Sequence, residues 1–100
     1  MANTPTVFHR GTLPAEATTV YTTPASGLAV VTNIVATNPA STSASVTVSL
    51  GGIPLLASVG IPPSGVLTLD VRQVLNAGEI ISVQSTGARA HIHISGAEVT

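Results

Sequence analysis

Residues 21–38 read YTTPASGLAVVTNIVATN, and the fold turns on this stretch. Pro24 and Gly27 mark a turn over residues 23–27. The chain then runs through Leu28, Ala29, Val30, Val31, Thr32, Asn33, Ile34, Val35 and Ala36. At a period of two, one face holds Leu28, Val30, Thr32, Ile34 and Ala36, and the other Ala29, Val31, Asn33, Val35 and Thr37. Both faces are largely apolar, which predicts a central strand covered on both sides. A helix is disfavoured because the branched Val, Ile and Thr side chains crowd the preceding turn, and Asn38-Pro39 closes the run.

Working outward, residues 45–50 alternate cleanly, with Val46, Val48 and Leu50 on a packing face and Ser45, Thr47 and Ser49 on a wet one. Gly51-Gly52 then predicts a type I′ hairpin, which needs positive φ at both central positions. In the return strand, Ile53, Leu55, Ala57 and Val59 share a face, and Pro54 predicts a sheet edge. Residues 60–65 (GIPPSG) form a stiff turn, and residues 66–69 a strand. Residues 70–75 (DVRQVL) suit one helical turn with Asp70 as N-cap and Val71, Val74 and Leu75 facing the core, stopped at Asn76-Ala77-Gly78. Residues 79–85 and 88–99 close the fold as strands around a Thr86-Gly87 turn. In the last one Ala90, Ile92 and Ile94 point one way and His91, His93 and Ser95 the other, with Gly96 as a bulge that shifts the phase. Before the quoted stretch, residues 18–22 make a strand and residues 7–13 a short edge strand broken at Gly11. Residues 1–6 (MANTPT) read as a flexible arm with no packing role. The sum is one all-β domain over residues 7–100, an antiparallel β-sandwich of about eight strands with jelly-roll or related topology.

Composition narrows the function classes. The chain is 44% hydrophobic and only 7% charged, with no lysine. Ordinary soluble domains carry about 25% charged residues, so this chain suits permanent packing against other subunits. A net charge of −1 without a basic cluster argues against nucleic acid, whose affinity comes from several Lys/Arg–phosphate contacts. With no cysteine, disulfides, thiolate metal sites and thiol catalysis are excluded. No basic region followed by an apolar one opens the chain, and its apolar runs fall short of the ~20 residues of a spanning helix. Synthesis in a cytoplasm, with no membrane partner, is the expectation.

The side chains that carry chemistry give no constellation. His91 and His93 have metal-ligand spacing on one strand face, but a third ligand from His9 or Glu98 is needed, and two ligands specify little. The simpler expectation is a pair of half-exposed imidazoles at a subunit contact, where protonation would couple assembly to pH. Ser95, His93 and Asp70 are the types of a hydrolytic triad, without a nucleophile elbow around the serine. Neither Gly51-Gly52 nor residues 60–65 lead into a helix with Lys-Ser/Thr, so they are turns and not phosphate loops. Phe8 and Tyr21 are the only aromatics, too few for a sugar-stacking platform. Asp70 and Arg72 read as a cap and an exposed charge. Neither catalysis nor a cofactor is expected.

Three phrases resemble a family of small structural proteins of tailed bacteriophages. They are residues 18–27 (TTVYTTPASG) leading into the apolar strand and Asn38, residues 74–83 (VLNAGEIISV), and residues 91–99 (HIHISGAEV). The resemblance spans residues 13–99 and departs at Ser26, where the usual form passes straight from Ala to Gly. It implies a virion component that is not an enzyme. Its commonest role would be capsid decoration: binding the major capsid protein on the outer surface of the assembled head, as a homotrimer, to stabilise contacts between capsomers. Residues 1–6, with Asn3, Thr4, Pro5 and Thr6 as candidate contacts, would reach onto a neighbouring subunit, and His91 and His93 could meet a subunit or the capsid. So could the wet face of Ser45, Thr47 and Ser49. A tail, baseplate or fibre-attachment subunit is an alternative on the same particle. A carbohydrate-binding module for host-surface sugar is the alternative from another class.

Overall fold

A computed structural model describes residues 3–99, and that span is strands joined by turns and short loops. The strands are β1 (Asn3–Thr12), β2 (Thr18–Thr22), β3 (Leu28–Thr37), β4 (Ala44–Leu50), β5 (Ile53–Ile61), β6 (Val66–Leu75), β7 (Ile80–Gly87) and β8 (His91–Val99). Their pairing is that of one long hairpin folded at the β4–β5 turn: β1 with β8, β2 with β7, β3 with β6 and β4 with β5, all antiparallel. Rolling that hairpin brings β3 against β8 and β4 against β7. Two four-stranded sheets result, in the orders β1-β8-β3-β6 and β2-β7-β4-β5. This is the jelly-roll form of the β-sandwich. The two are named below by their central pairs, the β3/β8 sheet and the β4/β7 sheet.

The interior lies between them. Ala29, Val31, Ile34, Ala36, Ile92 and Ile94 from one sheet meet Val46, Val48, Ile81 and Val83 from the other, each essentially without solvent exposure. Burying a Val or Ile side chain contributes roughly 1.5–3 kcal/mol, so these side chains dominate the fold's stability. The Gly51-Gly52 turn has φ of 59° and 83°, as a type I′ hairpin requires, and β5 lies at a sheet edge with Pro54 in it, as expected.

Four expectations need correction. First, β3 is covered on one face only. The register of β3 on β8 and on β6 slips between Val31 and Asn33, leaving Thr32 as the bulged residue. The bulge switches the phase, so Ala29 and Val31 before it and Ile34 and Ala36 after it all face inward. Second, residues 70–75 are strand, not a helical turn. They pair with β3 from Asn33↔Asp70 to Ala29↔Leu75, and that ladder uses the backbone groups a helix would need. Third, the arm expected over residues 1–6 is strand from Asn3 onward, because Asn3↔Val99, Thr4↔Glu98, Pro5↔Ala97 and Thr6↔Gly96 pair β1 with β8. Residues 1 and 2 lie outside the described residues. Fourth, the slip in β1 falls between Val7 and His9, not at Gly11, and β8 keeps its own alternation through Gly96. Gly96 serves a close approach instead: a Cβ there would run into the Val30 carbonyl oxygen and the Phe8 ring.

Two polar ties join the sheets. Buried Asn38, just after β3, donates from Nδ2 to the carbonyls of Thr42 (2.8 Å), Ile61 (3.1 Å) and Pro62 (3.3 Å), while its Oδ1 accepts from the Ala40 N–H (3.1 Å). Tyr21 on β2 donates its hydroxyl to Glu98 Oε2 on β8 at 2.5 Å and packs on Phe8 with ring centroids 4.5 Å apart.

Candidate functional site

The two outer faces differ in chemistry, and the difference follows from strand composition. None of β2, β4, β5 and β7 contains an Asp, Glu, Lys, Arg or His. The outer face of the β4/β7 sheet is therefore a neutral ladder, with Ser45 opposite Thr86, Thr47 opposite Gln84, and Ser49 opposite Ser82. Thr19 of β2 continues it beside Ser82. Two of these side chains are already engaged: the Ser58 N–H donates to Thr47 Oγ1 (3.0 Å) and Gln84 Nε2 to the Ala15 carbonyl (3.1 Å).

The outer face of the β3/β8 sheet is built from rows across four strands. One row is Pro5, Ala97, Val30 and Val74, apolar from edge to edge. Leu28 and Val99 extend it, and Val74 and Val7 stand 56% and 51% exposed. Toward the other end of the face the rows are Arg10, His93, Val35, Thr68 and then Thr12, His91, Thr37, Val66. There Arg10 Nε donates to His93 Nδ1 (3.0 Å), and Thr12 Oγ1 lies 3.1 Å from His91 Nδ1. Between the two ends, Asn33 Nδ2 donates to Asp70 Oδ1 (3.3 Å), and a shallow depression of about 480 Å³ opens at the bulge, lined by Thr32, Asp70, Val71 and Arg72.

The expected site residues divide across this frame. His91 and His93 are exposed on the outer face, as the alternation of β8 predicts. Asn3 and Pro5 share that face at its apolar end, while Thr4 and Thr6 pair with Glu98 and Gly96 on the inward phase of β8, and Thr6 Oγ1 donates to the Thr4 carbonyl (2.8 Å). Among the described residues no third His, Asp or Glu joins the histidine pair. His9 is registered opposite buried Ile94 and Glu98 is held by Tyr21, so both belong to the inward side. Among the described residues no three His, Asp or Glu side chains gather as a metal site. Nor do Ser95, His93 and Asp70 form a triad, since His93 Nδ1 is taken by Arg10 and the Asp70 carboxylate by Asn33. Both aromatics are used in the clasp with Glu98, leaving no ring to stack a sugar.

The Tyr21 phenol is pushed well above its ordinary range, first by burial and then by the hydrogen bond and negative charge of Glu98. It serves as a fixed donor between sheets, not as an acid or nucleophile. Sequence reasoning missed this clasp, the Asn38 hub and the Pro5–Ala97–Val30–Val74 row, because each joins strands far apart in the chain.

No protein-family model and no curated protein matches the chain. Among solved structures it is similar to an exo-β-1,3-galactanase from Phanerochaete chrysosporium with galactose, at 22% identity and a TM-score of 0.46. A second structure of that enzyme, with β-1,3-galactotriose, gives 23% and 0.47. Each match covers 94% of this chain but 29% of the galactanase chain, so the protein spans under a third of that enzyme. Likeness at this level carries no functional meaning.

Proposed function

We propose that this chain is a structural subunit of a bacteriophage particle, bound to the outside of the assembled head as a decoration protein. The observation that supports this is the surface. A jelly roll with 7% charged residues and no lysine leaves an apolar row uncovered across all four strands at one end of a sheet face. Such a surface favours lasting burial against other subunits over life as a free monomer. The resemblance of three sequence phrases to phage structural proteins supports the choice of particle. The same row is equally usable at a tail or baseplate station.

Decoration would act by mass action. A subunit that binds only the assembled lattice stabilises it by RT ln(1 + [L]/Kd) per site, about 2.7 kcal/mol at a hundredfold excess over Kd. Copies joined in a trimer would add avidity without new contacts. The decisive experiment is the copy number of this chain relative to the major capsid protein in purified particles. Hundreds of copies support decoration of the head. A few to about a dozen would move the chain to the tail or a unique vertex, and absence from particles would remove both.

A further inference from the structure

We infer that the outer face of the β3/β8 sheet, and not that of the β4/β7 sheet, is the surface by which this chain docks onto the head lattice, and that the lattice meets it with an apolar ridge flanked by carboxylates. This rests on the decoration role proposed above and adds to it a face and a partner chemistry.

Two physical contrasts carry the assignment. The first is hydration. Pro5, Ala97, Val30 and Val74 form one continuous row, so a partner ridge laid along it releases water from all four strands at once. On the opposite face, Ser45, Ser49, Ser82 and Thr86 present hydroxyls that water satisfies and that a dry contact would leave short of partners unless each were matched.

The second contrast is charge. Arg72 on β6 stands two residues from Val74 of the apolar row, and Arg10 on β1 stands toward the other end of the face with His91 and His93 on β8. Among the described residues one carboxylate, Asp70, stands on this face, and its hydrogen bond from the neutral Asn33 amide does not offset its charge. The two guanidinium groups of Arg10 and Arg72 against that one carboxylate leave the face net positive, and an acidic partner surface complements it. The charge-free face has nothing with which to select a partner of either sign. Like-charge contacts discriminate strongly against wrong partners, so specificity belongs with the charged face.

The test uses heads produced without this protein, incubated with the purified full chain, with bound copies counted over a range of free concentration. Val74→Asp places a charge in the exposed end of the apolar row, and Arg10→Glu reverses the basic end. Both lie on edge strands and are solvent-exposed, and thermal melts establish that each variant is folded. Each is expected to weaken binding about tenfold or more, the scale of a well-buried contact residue. Thr19→Asp and Thr86→Asp, on the other face, are expected to stay within about twofold, as rim-free surface changes do. Loss of binding by the Thr19 and Thr86 variants, with the Val74 and Arg10 variants binding as wild type, would overturn the assignment while leaving decoration intact. A changed oligomeric state in the Val74 and Arg10 variants, with head binding kept, would also overturn it, by making this face a contact between copies. Failure of the wild-type chain to bind heads at all would remove the decoration role and the docking face together.

Discussion

The central pair of each sheet buries the same kind of interior but is paired differently. In β4/β7 the register runs without a break from Ala44↔Gly87 to Leu50↔Ile81. In β3/β8 it slips between Val31 and Asn33, β6 slips opposite the same residues of β3, and β1 slips one residue away along β8, between Val7 and His9. An unbroken ladder keeps one composition per face, and the outer face of β4/β7 is accordingly uniform in Ser, Thr and Gln. A bulge re-aims the side chains that follow it and increases local twist. That is how the apolar row at Val30 and the polar rows at Val35 and Thr37 come to share one outer face. In this molecule the unbroken central pair carries a uniform outer surface and the bulged central pair a mixed one.

The sharpest way to break the contrast is Gly96→Val. Gly96 lies beside the bulge, where any Cβ meets the Val30 carbonyl oxygen and the Phe8 ring, and nothing flexible is there to yield. Overpacking against backbone is expected to cost about 3 kcal/mol or more, out of the 5–15 kcal/mol typical of a domain. Urea denaturation measures this, and a loss below about 1 kcal/mol would mean that β3 and β8 are not so closely apposed. Asn38→Ala comes next, at roughly 2–4 kcal/mol, because one buried side chain serves three carbonyls and one N–H. Hydrogen exchange should show the end of β3 and the end of β5 opening together in that variant. If only the β3 end loosens, Asn38 does not couple the sheets.

How much of this was legible follows the same contrast. In residues 45–50 and 91–95 alternation is uninterrupted, so the inward Val46, Val48, Ile92 and Ile94 and the outward His91 and His93 are readable from spacing alone. In β3 the period-two reading grouped Ile34 and Ala36 with Leu28 and Val30, because nothing local announces that Thr32 is the extra residue. The two apolar faces were one apolar face that changes phase midway. Residues 70–75 misled for another reason. Val71 and Leu75 are four apart, a spacing that shares a face in a helix and in a strand alike, so the deciding fact was pairing with β3, which is non-local. The apolar row across Pro5, Ala97, Val30 and Val74 depends on four registers at once, and no window of sequence contains it.

The Tyr21–Glu98 clasp tests the join between the two sheets at the β2 edge. Tyr21→Phe removes the donor and leaves the Glu98 carboxylate half-buried without it, an expected loss of about 1–2 kcal/mol. The clasp also sets a pH signature. A phenol in the unfolded chain ionises near pH ~10, whereas burial and Glu98 hold the folded one neutral above that. Above pH ~10 the unfolded state therefore binds fewer protons than the folded state, and stability falls as pH rises; below that the clasp contributes in full. The phenylalanine variant should lack this alkaline slope. An unchanged slope in Tyr21→Phe would locate the alkaline instability elsewhere.

The smallest expected effect distinguishes the two outer faces bond by bond. On the β4/β7 sheet, Thr47 Oγ1 accepts from the Ser58 N–H at 3.0 Å, and Ser58 is held at a φ of 51° where a non-glycine residue needs support. On the β3/β8 sheet, Thr32 Oγ1 reaches the Ser95 carbonyl only at 3.4 Å, beyond the usual hydrogen-bond range. Thr→Val keeps the shape and removes the hydroxyl, so Thr47→Val should cost about 0.5–1 kcal/mol, and Thr32→Val should fall within about 0.5 kcal/mol of wild type. Paired urea titrations with a common slope resolve the two. Equal losses would mean that the Thr47 hydroxyl does not hold Ser58 in place, and that the β4–β5 pairing, which slips on either side of Val48, relies on its backbone ladder alone.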